Sequence, residues 1–199
     1  MYSDMDIEAA IRPFGRFADG ISPAGEAALV ARARTGDHHA FEILIRRYKD
    51  RVLNLARRIV GDADAAQDVA QETFIKAYQK LRRFRGKSRF STWLYRIAVN
   101  EARAYLRAQR RRRARWDKQK ALEASKPAHV EPSERAGRLL ELLDELPEQQ
   151  RIALALFYLQ ELSVSEIAQL VGAPDGTVKA WLSRGRERLR KWARERGLL

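Results

Sequence analysis

The chain has 199 residues, of which 45% are hydrophobic, and this length accommodates one large domain or two small ones. It contains no cysteine, which excludes disulfides, thiolate metal sites and thiol nucleophiles. No apolar run approaches the roughly 20 residues of a membrane span, and the acidic N-terminus lacks the order of a signal peptide, so we expect a cytoplasmic protein without direct membrane insertion.

The formal net charge of +13 at pH 7 favours a polyanion as partner. Nine basic residues fall within 103–120, where only Asp117 opposes them, whereas the charges of 131–148 are mostly acidic. This separation predicts more than one kind of partner. A generally adhesive basic protein, such as a ribosomal one, is the alternative that charge alone leaves open.

In chain order, residues 1–25 contain several prolines and glycines and predict a flexible extension. Helical spacing of apolar residues begins near Glu26 and continues to Ile59, with one break at 35–37. Gly61 is expected to end this helix, and a capping box of Asp64 and Gln67 is expected to begin the next.

A basic loop, FRGKSRF (84–90), follows the second long helix, and we expect Ser91 or Thr92 to cap a helix that runs to about Arg113. Residues 114–133 lose the periodicity, contain two prolines and predict a linker. Beyond it the pattern predicts four helical segments: 134–145, 148–160 with Pro147 in its first turn, 163–171 and 174–195.

No stretch alternates with period two, so we predict an all-α protein without a sheet. Its organisation is two small helical domains, 26–113 and 134–199, joined by the linker.

The segment 163–186 is typical of a helix-turn-helix. Ser163 and Glu166 predict a capping box, Gly172 a tight turn, and Pro174 the first turn of the second helix. Such a helix fits the major groove of duplex DNA. A helical hairpin with a solvated charged face is the alternative. The residues predicted to contact DNA are Asp175, Thr177, Lys179, Ser183, Arg184 and Arg186.

Four stretches occur in the order expected of one family: DAAQDVAQETFIKAY (64–78), FRGKSRFSTWLYRIAVNEARAYLR (84–107), LPEQQRIALALFYLQELSVSEIAQLVG (146–172) and GTVKAWLSRGRERLR (176–190). The chain resembles the extracytoplasmic-function (ECF, group IV) sigma factors, the two-domain branch of the bacterial sigma-70 family. The resemblance covers nearly everything from Ala28 to Trp192. It implies an alternative sigma factor with sigma region 2 in the first domain and region 4 in the second, without active site, metal or cofactor.

The resemblance implies three partners: the RNA polymerase core, promoter DNA and an anti-sigma factor. In the family, the helix over 64–78 docks on the clamp coiled coil of the polymerase's largest subunit. Its acidic, amide-rich face suits a basic partner helix, although an ordinary solvated face is the alternative. The residues assigned to this surface are Asp64, Asp68, Gln71 and Glu72.

The segment 84–107 resembles the part of the family that captures the melted −10 promoter element. A basic helix face beside a flexible loop and aromatic rings suits single-stranded DNA. The basic side chains neutralise the phosphates, and an unstacked base is held in a pocket. For Trp93 itself, packing in the core is the expected role. The residues assigned to −10 DNA are Arg85, Lys87, Arg96, Asn100, Arg103 and Arg107, the last four of which share one helical face.

The resemblance assigns −35 recognition to the helix that begins at Pro174. Ala180 and Trp181 stand where the family often has Ser-Arg, which places one contact in doubt, and we expect Trp181 to pack inward. Gly185 replaces a usual alanine and is expected to soften the helix by about 1 kcal/mol. The arginines of 110–113 either clamp the phosphates of the upstream duplex, lead the linker into the polymerase or form a solvated tail.

Three rival functions remain. A stand-alone helix-turn-helix regulator would bind duplex DNA tightly without polymerase, and a sigma-like decoy would have lost one of its binding surfaces. A nuclease would need clustered metal-binding carboxylates, and the sequence offers no catalytic residues. The three histidines, His38, His39 and His129, lack metal-ligand spacing.

Overall fold

The structure, a computed structural model, describes residues 22–119 and 142–196. Within these ranges every regular element is helical and no β-strand occurs, which confirms the all-α prediction. A π-helix, Ala155–Leu159, interrupts the second domain. The α-helices are α1 (Pro23–Arg34), α2 (His38–Val60), α3 (Ala63–Leu81), α4 (Phe90–Gln119), α5 (Glu148–Leu154), α6 (Val164–Val171) and α7 (Asp175–Glu195).

The first domain is a bundle in which α2, α3 and α4 pack against one another and α1 packs against α2. Its centre contains the fully buried side chains of Leu55, Ile59, Leu81 and Leu94. Each buried aliphatic side chain of this size stabilises the fold by about 1.5–3 kcal/mol. The apolar periodicity of the sequence therefore located this core correctly.

Helix α1 begins at Pro23, inside the segment 1–25 that was predicted to be a flexible extension. The Ser22 side chain accepts a hydrogen bond from the Gly25 amide at 3.2 Å, and proline suits the first helical position. The prediction is thus wrong for Pro23–Gly25. Residues 1–21 lie outside the described residues.

Two predicted helix caps are also wrong. The Asp62 side chain, not a box of Asp64 and Gln67, caps α3 by accepting from the Ala65 amide at 2.7 Å. Helix α4 already begins at Phe90, because the Arg89 carbonyl accepts from the Trp93 amide. Ser91 and Thr92 therefore lie within its first turn.

Helix α4 continues past Arg113 to Gln119, into the segment 114–133 that was predicted to be a linker. Residues 114–119 contain neither glycine nor proline, and their types have adequate helix propensity. Residues 120–133, and 134–141 of the predicted helix 134–145, lie outside the described residues. The last turn of that predicted helix is present, with Leu142 and Leu143 buried.

The second domain contains a π-helix where one continuous helix over 148–160 was predicted. α5 ends at Leu154, and the chain leaves the π-helix through Glu161, whose φ of 53° is left-handed. The Leu162 amide then donates to the Leu156 carbonyl at 3.2 Å. Pro147 precedes the first turn of α5 as its N-cap rather than lying in that turn.

Helices α5 and α7 approach each other closely at Gly185, which is buried. A Cβ on this residue would lie 2.7 Å from Leu154 Cδ1 and 3.4 Å from Gln150 Cβ. The expectation that Gly185 only softens the helix is therefore incomplete. Because Gly185 has no side chain, α5 and α7 can pack closely at this point.

The two domains are in contact with each other. Helix α4 lies against α6, and α2 lies against α5 and the π-helix. At one point the Gln160 Nε2 donates to the Arg51 carbonyl at 3.3 Å. The buried apolar residues of both domains form one cluster.

We predict that Gly185→Ala lowers the free energy of unfolding by about 1 kcal/mol, because overpacking against Leu154 outweighs the gain in helix propensity. Gly176→Ala is the matched control. It lies in the same helix, nothing stands within 4 Å of its added Cβ, and we expect it to be neutral or stabilising. Denaturant unfolding of both variants measures the difference. Equal stabilisation by the two alanines would contradict the close packing at Gly185.

Candidate nucleic-acid and polymerase interface

The first candidate surface is the basic face of α4. Arg96, Asn100 and Arg107 are exposed and Arg103 is half-buried, whereas the opposite face of the same helix is buried in the core. The spacings of four, three and four residues keep these four side chains on one side of the helix. We call them the α4 strip.

The loop before α4 holds the two other residues assigned to −10 DNA, Arg85 and Lys87, and both are exposed. Gly86 between them has a φ of 69°, which a residue with a Cβ rarely adopts. The ring of Trp93 lies 5.0 Å from that of Phe84 and 5.6 Å from that of Phe90, and it is partly buried against the core. This confirms the expected packing role of Trp93.

Part of the α4 strip contacts the second domain. Arg96 Nη2 donates to the Gln169 carbonyl at 2.8 Å, and Arg103 Nε lies 3.6 Å from Glu148 Oε1. The other oxygen of Glu148 accepts from Arg110 Nη2 at 2.9 Å. Sequence reasoning missed Glu148 and Gln169, because only the docking of two domains brings them to α4.

The second candidate surface lies on α3. Asp64, Asp68, Gln71 and Glu72 are all exposed and follow one another at helical spacing. The same stripe continues through two residues that were not predicted: Ile75 and Tyr78 are 43% and 40% exposed, and both are large and hydrophobic. Their spacing of three and six residues from Glu72 was the signal available in the sequence. We call these six residues the α3 face.

Ordered contacts hold the edges of the α3 face. The Tyr78 hydroxyl lies 2.9 Å from His38 Nδ1, and its ring stands 5.0 Å from that of Phe41. On the other side, Lys76 Nζ bridges Glu101 of α4, at 2.5 Å, and Glu72, at 3.3 Å. The hydrogen bond to Glu101 raises the pKa of Lys76, so this ammonium stays charged and partly offsets the acidity of the face.

A cavity of about 540 Å³ lies between α1, α2 and the loop before α4. Three of its polar groups are engaged with one another: the Tyr48 hydroxyl donates to Glu26 at 2.6 Å, and Arg47 Nε lies 3.2 Å from the same carboxylate. Burial and this carboxylate raise the pKa of Tyr48. These contacts link α1 to α2 and need no ligand.

The third candidate surface is the helix-turn-helix of α6 and α7. The capping box is confirmed: Ser163 Oγ accepts from the Glu166 amide at 3.2 Å, and Glu166 accepts from the Ser163 amide at 2.9 Å. The backbone hydrogen bond lowers the pKa of Glu166, so this cap stabilises the fold near neutral pH and weakens as the pH falls through that pKa. Gly172 turns the chain with a φ of 72°.

Helix α7 buries Val178, Leu182 and Leu189 as its periodicity predicted. On the remaining surface Lys179, Ser183 and Arg184 are exposed, while Thr177 and Arg186 are half-buried, and Trp181 packs against the core as expected. Arg186 Nε donates to the Leu182 carbonyl of its own helix at 3.3 Å.

Asp175, which is also assigned to −35 DNA, has a contact between the two helices of the motif. Its Oδ2 accepts a hydrogen bond from Ser165 Oγ at 2.7 Å, which joins the start of α7 to α6. A carboxylate in the first turn also interacts favourably with the helix dipole. Asp175 therefore links the start of α7 to α6.

Neither a metal-binding cluster nor a membrane-spanning helix occurs in the described ranges, 22–119 and 142–196. They contain no group of three or more His, Asp or Glu side chains placed to hold a metal ion. None of the helices in them is long and apolar enough to cross a membrane.

Each of the two domains matches a known protein family. The profile for sigma-70 region 2 matches residues 44–112, and that for sigma-70 region 4 matches residues 136–189. The chain belongs to the sigma-70 family. It is an alternative sigma factor of the extracytoplasmic-function group, which directs RNA polymerase to promoters.

Two relatives show how far the likeness extends. The RNA polymerase sigma-H factor of Pseudomonas aeruginosa is 41% identical in an alignment of 175 residues that covers 82% of this sigma factor and 91% of that protein. The ECF RNA polymerase sigma-E factor of Escherichia coli is 42% identical over 172 residues, covering 80% and 89%.

Two solved structures resemble this sigma factor. CnrH in complex with the cytosolic domain of CnrY has a TM-score of 0.65 at 25% identity, covering 85% of this chain and 97% of that one. RpoE from Bartonella quintana in complex with the anti-sigma factor NepR has a TM-score of 0.62 at 27% identity, covering 76% and 94%.

We predict that the hydrogen bond between Ser165 and Asp175 contributes about 1 kcal/mol to the stability of this sigma factor. A double-mutant cycle with Ser165→Ala and Asp175→Ala, followed by denaturant unfolding, measures the coupling. A second cycle that pairs Ser165→Ala with Glu187→Ala is the control, because Glu187 is an exposed acid of the same helix. Additive effects in both cycles would show that the bond does not join the helices.

Proposed function

We propose that the three surfaces divide the work of promoter recognition. The α4 strip with its loop holds the melted −10 strand, the exposed side of α7 reads the −35 duplex, and the α3 face docks on the clamp of the polymerase's largest subunit. The observation that carries the proposal is that α4 buries one face in the core and presents a row of basic and amide side chains on the other.

For the −10 element, arginines neutralise the phosphates of a single strand, and asparagine can pair with the edge of an unstacked base. Arg85 and Lys87 extend the basic surface from α4 into the adjoining loop. The strand binds here only when it is unpaired, so binding favours the open duplex over the closed one. No covalent bond is made or broken, and we propose no active site.

For the −35 element, we propose that α7 enters the major groove with its N-terminal half. Lys179 and Arg184 supply positive charge for phosphates or guanine, and Ser183 supplies a hydroxyl. Ala180 offers only a methyl group where the family often has a polar residue. Readout at that step is thus limited to an apolar contact, such as one with a thymine methyl.

For the polymerase, the α3 face combines three kinds of group. Asp64, Asp68 and Glu72 suit a basic partner helix and steer the encounter, Gln71 adds hydrogen bonds, and Ile75 with Tyr78 adds apolar area that water leaves on docking. The exposed apolar pair supports binding rather than mere solvation, because the centre of an interface is enriched in aromatic side chains and depleted of charged ones.

We also propose an anti-sigma factor as partner, since a similar structure holds RpoE with the anti-sigma factor NepR. The protein would act where the polymerase is, in the cytoplasm. The alternative, a stand-alone helix-turn-helix regulator, leaves the α3 face and the loop 84–90 without a role.

Asp68→Lys with Ile75→Asp is expected to weaken binding to core polymerase at least tenfold, because it removes an attractive charge and an apolar contact at the proposed centre. Titration of core enzyme with fluorescent protein measures the affinity. Asp50→Lys is the matched control, because Asp50 is an exposed acid on α2. If both proteins bind core equally and fold equally, the α3 face is not the docking site.

Alanine at Lys179 or Arg184 is expected to weaken promoter binding by the reconstituted holoenzyme. A residue that acts through a phosphate should also lower the slope of log affinity against log salt by about one. Arg194→Ala, near the far end of α7, serves as the control and should leave the slope unchanged. If the slope is the same in all three variants and in the parent protein, Lys179 and Arg184 do not contact phosphates. If the affinity is also the same, neither residue belongs to the −35 site.

A further inference from the structure

The second domain lies on part of the surface that we assign to −10 DNA. Glu148 is the first residue of α5 and keeps only 17% of its side chain exposed. Its two oxygens face Arg103 and Arg110, which are seven residues apart on α4 and therefore two turns along the same face. One carboxylate thus spans two cations of a basic surface, as a phosphate group would.

A second contact occurs at the other end of the strip. The guanidinium of Arg96 donates to the carbonyl of Gln169, in the helix-turn-helix. Arg89, at the start of α4, lies close enough to contribute to the lowered pKa of Glu166. The second domain therefore engages the α4 surface at both ends with oxygen acceptors.

We propose that this sigma factor closes on itself in the absence of polymerase, with the second domain docked on the α4 strip so that Glu148 and the Gln169 carbonyl occupy arginines meant for single-stranded DNA. The proposal rests on the proposed function of the strip. Its occupant is a segment of this same chain, α5 to α6, already seated on the surface. DNA and the second domain then compete for the same guanidinium groups.

The ion pairs supply only part of the attraction between the domains, because the two domains also share an apolar cluster. Exposed ion pairs are individually weak and screened by salt, and the Arg110 side chain is 66% exposed. Arg110 also lies near the half-buried cation Arg151 of α5, whose Nη1 donates to the Asp144 carbonyl at 2.7 Å. Repulsion between these two cations offsets part of the attraction to Glu148. Binding of either domain elsewhere can thus shift the equilibrium to the open form.

Glu148→Gln tests the closure in the full-length protein. Because the chain contains no cysteine, Ala63→Cys and Arg194→Cys place two dyes on exposed positions of the two domains without further substitutions. Single-molecule energy transfer then gives the ratio of open to closed molecules. We expect Glu148→Gln to raise this ratio roughly threefold at low salt, and added salt to raise the ratio of the parent protein in the same direction.

Glu145→Gln is the matched control. It removes the same charge three residues earlier in the same domain, but Glu145 pairs with Arg196 of its own domain at 2.6 and 2.9 Å. We expect it to leave the ratio unchanged. Arg110→Gln breaks the inter-domain pair from the other side and should open the protein as Glu148→Gln does. Thermal unfolding of each variant verifies that the domains stay folded.

Binding of a fluorescent single-stranded oligo-dT is the second readout. We expect Glu148→Gln to bind it roughly threefold more tightly than Glu145→Gln does, since both proteins have the same net charge. An open-to-closed ratio that is equal in these two variants overturns the closure. A higher ratio with equal oligo-dT affinity overturns the competition with DNA. Failure of the proposed function itself would appear separately, as loss of promoter-specific transcription by the parent protein with core enzyme while the dye distances still respond to Glu148→Gln.

Discussion

Helix α4 must bury an apolar face and expose a basic face along its length, and the arrangement of the first domain depends on both. Leu94, Ala98, Ala102 and Leu106 are buried, and the arginines between them at helical spacing stay at the surface. Burial of the apolar face against α2 and α3 fixes the rotation of the helix about its axis. That rotation aims the α4 strip. A change in the core packing would thus redirect the basic face even with every arginine in place.

The closed arrangement connects this strip to the second domain through polar contacts, beside an apolar cluster that both domains share. A net charge of +13 makes the open chain repel itself, and a carboxylate between two arginines relieves part of that repulsion locally. DNA reduces the same repulsion, and it does so with many phosphates instead of one carboxylate. The polymerase, proposed to bind on α3, leaves the α4 strip free for that exchange. As proposed, closure and promoter binding use the same attraction of the α4 arginines for anions, carboxylate in one case and phosphate in the other.

The interfaces differ in what they require of the fold. The α3 face needs only a regular helix with exposed acids and an apolar pair, and the contacts of Tyr78 and Lys76 hold its edges. The helix-turn-helix needs a defined angle between α6 and α7. The capping box at Ser163, the left-handed Gly172 and the bond from Ser165 to Asp175 all serve that angle. Asp175, which was assigned to DNA from its position in the sequence, therefore also links α7 to α6.

The sequence by itself determined the helical class, the two domains, the capping box at Ser163, the turn at Gly172 and the outward placement of the charged residues, because these depend on local periodicity and on short hydrogen bonds between near neighbours. Helix starts at Asp62 and Phe90 were missed, since several acceptors compete within a few residues and packing selects among them. Only the tertiary structure decided the π-helix, the close approach at Gly185, the exposure of Ile75 and Tyr78, and the meeting of Glu148 with Arg103. Each of these depends on which surface faces another helix, and residues far apart in the chain carry no local signal of that contact.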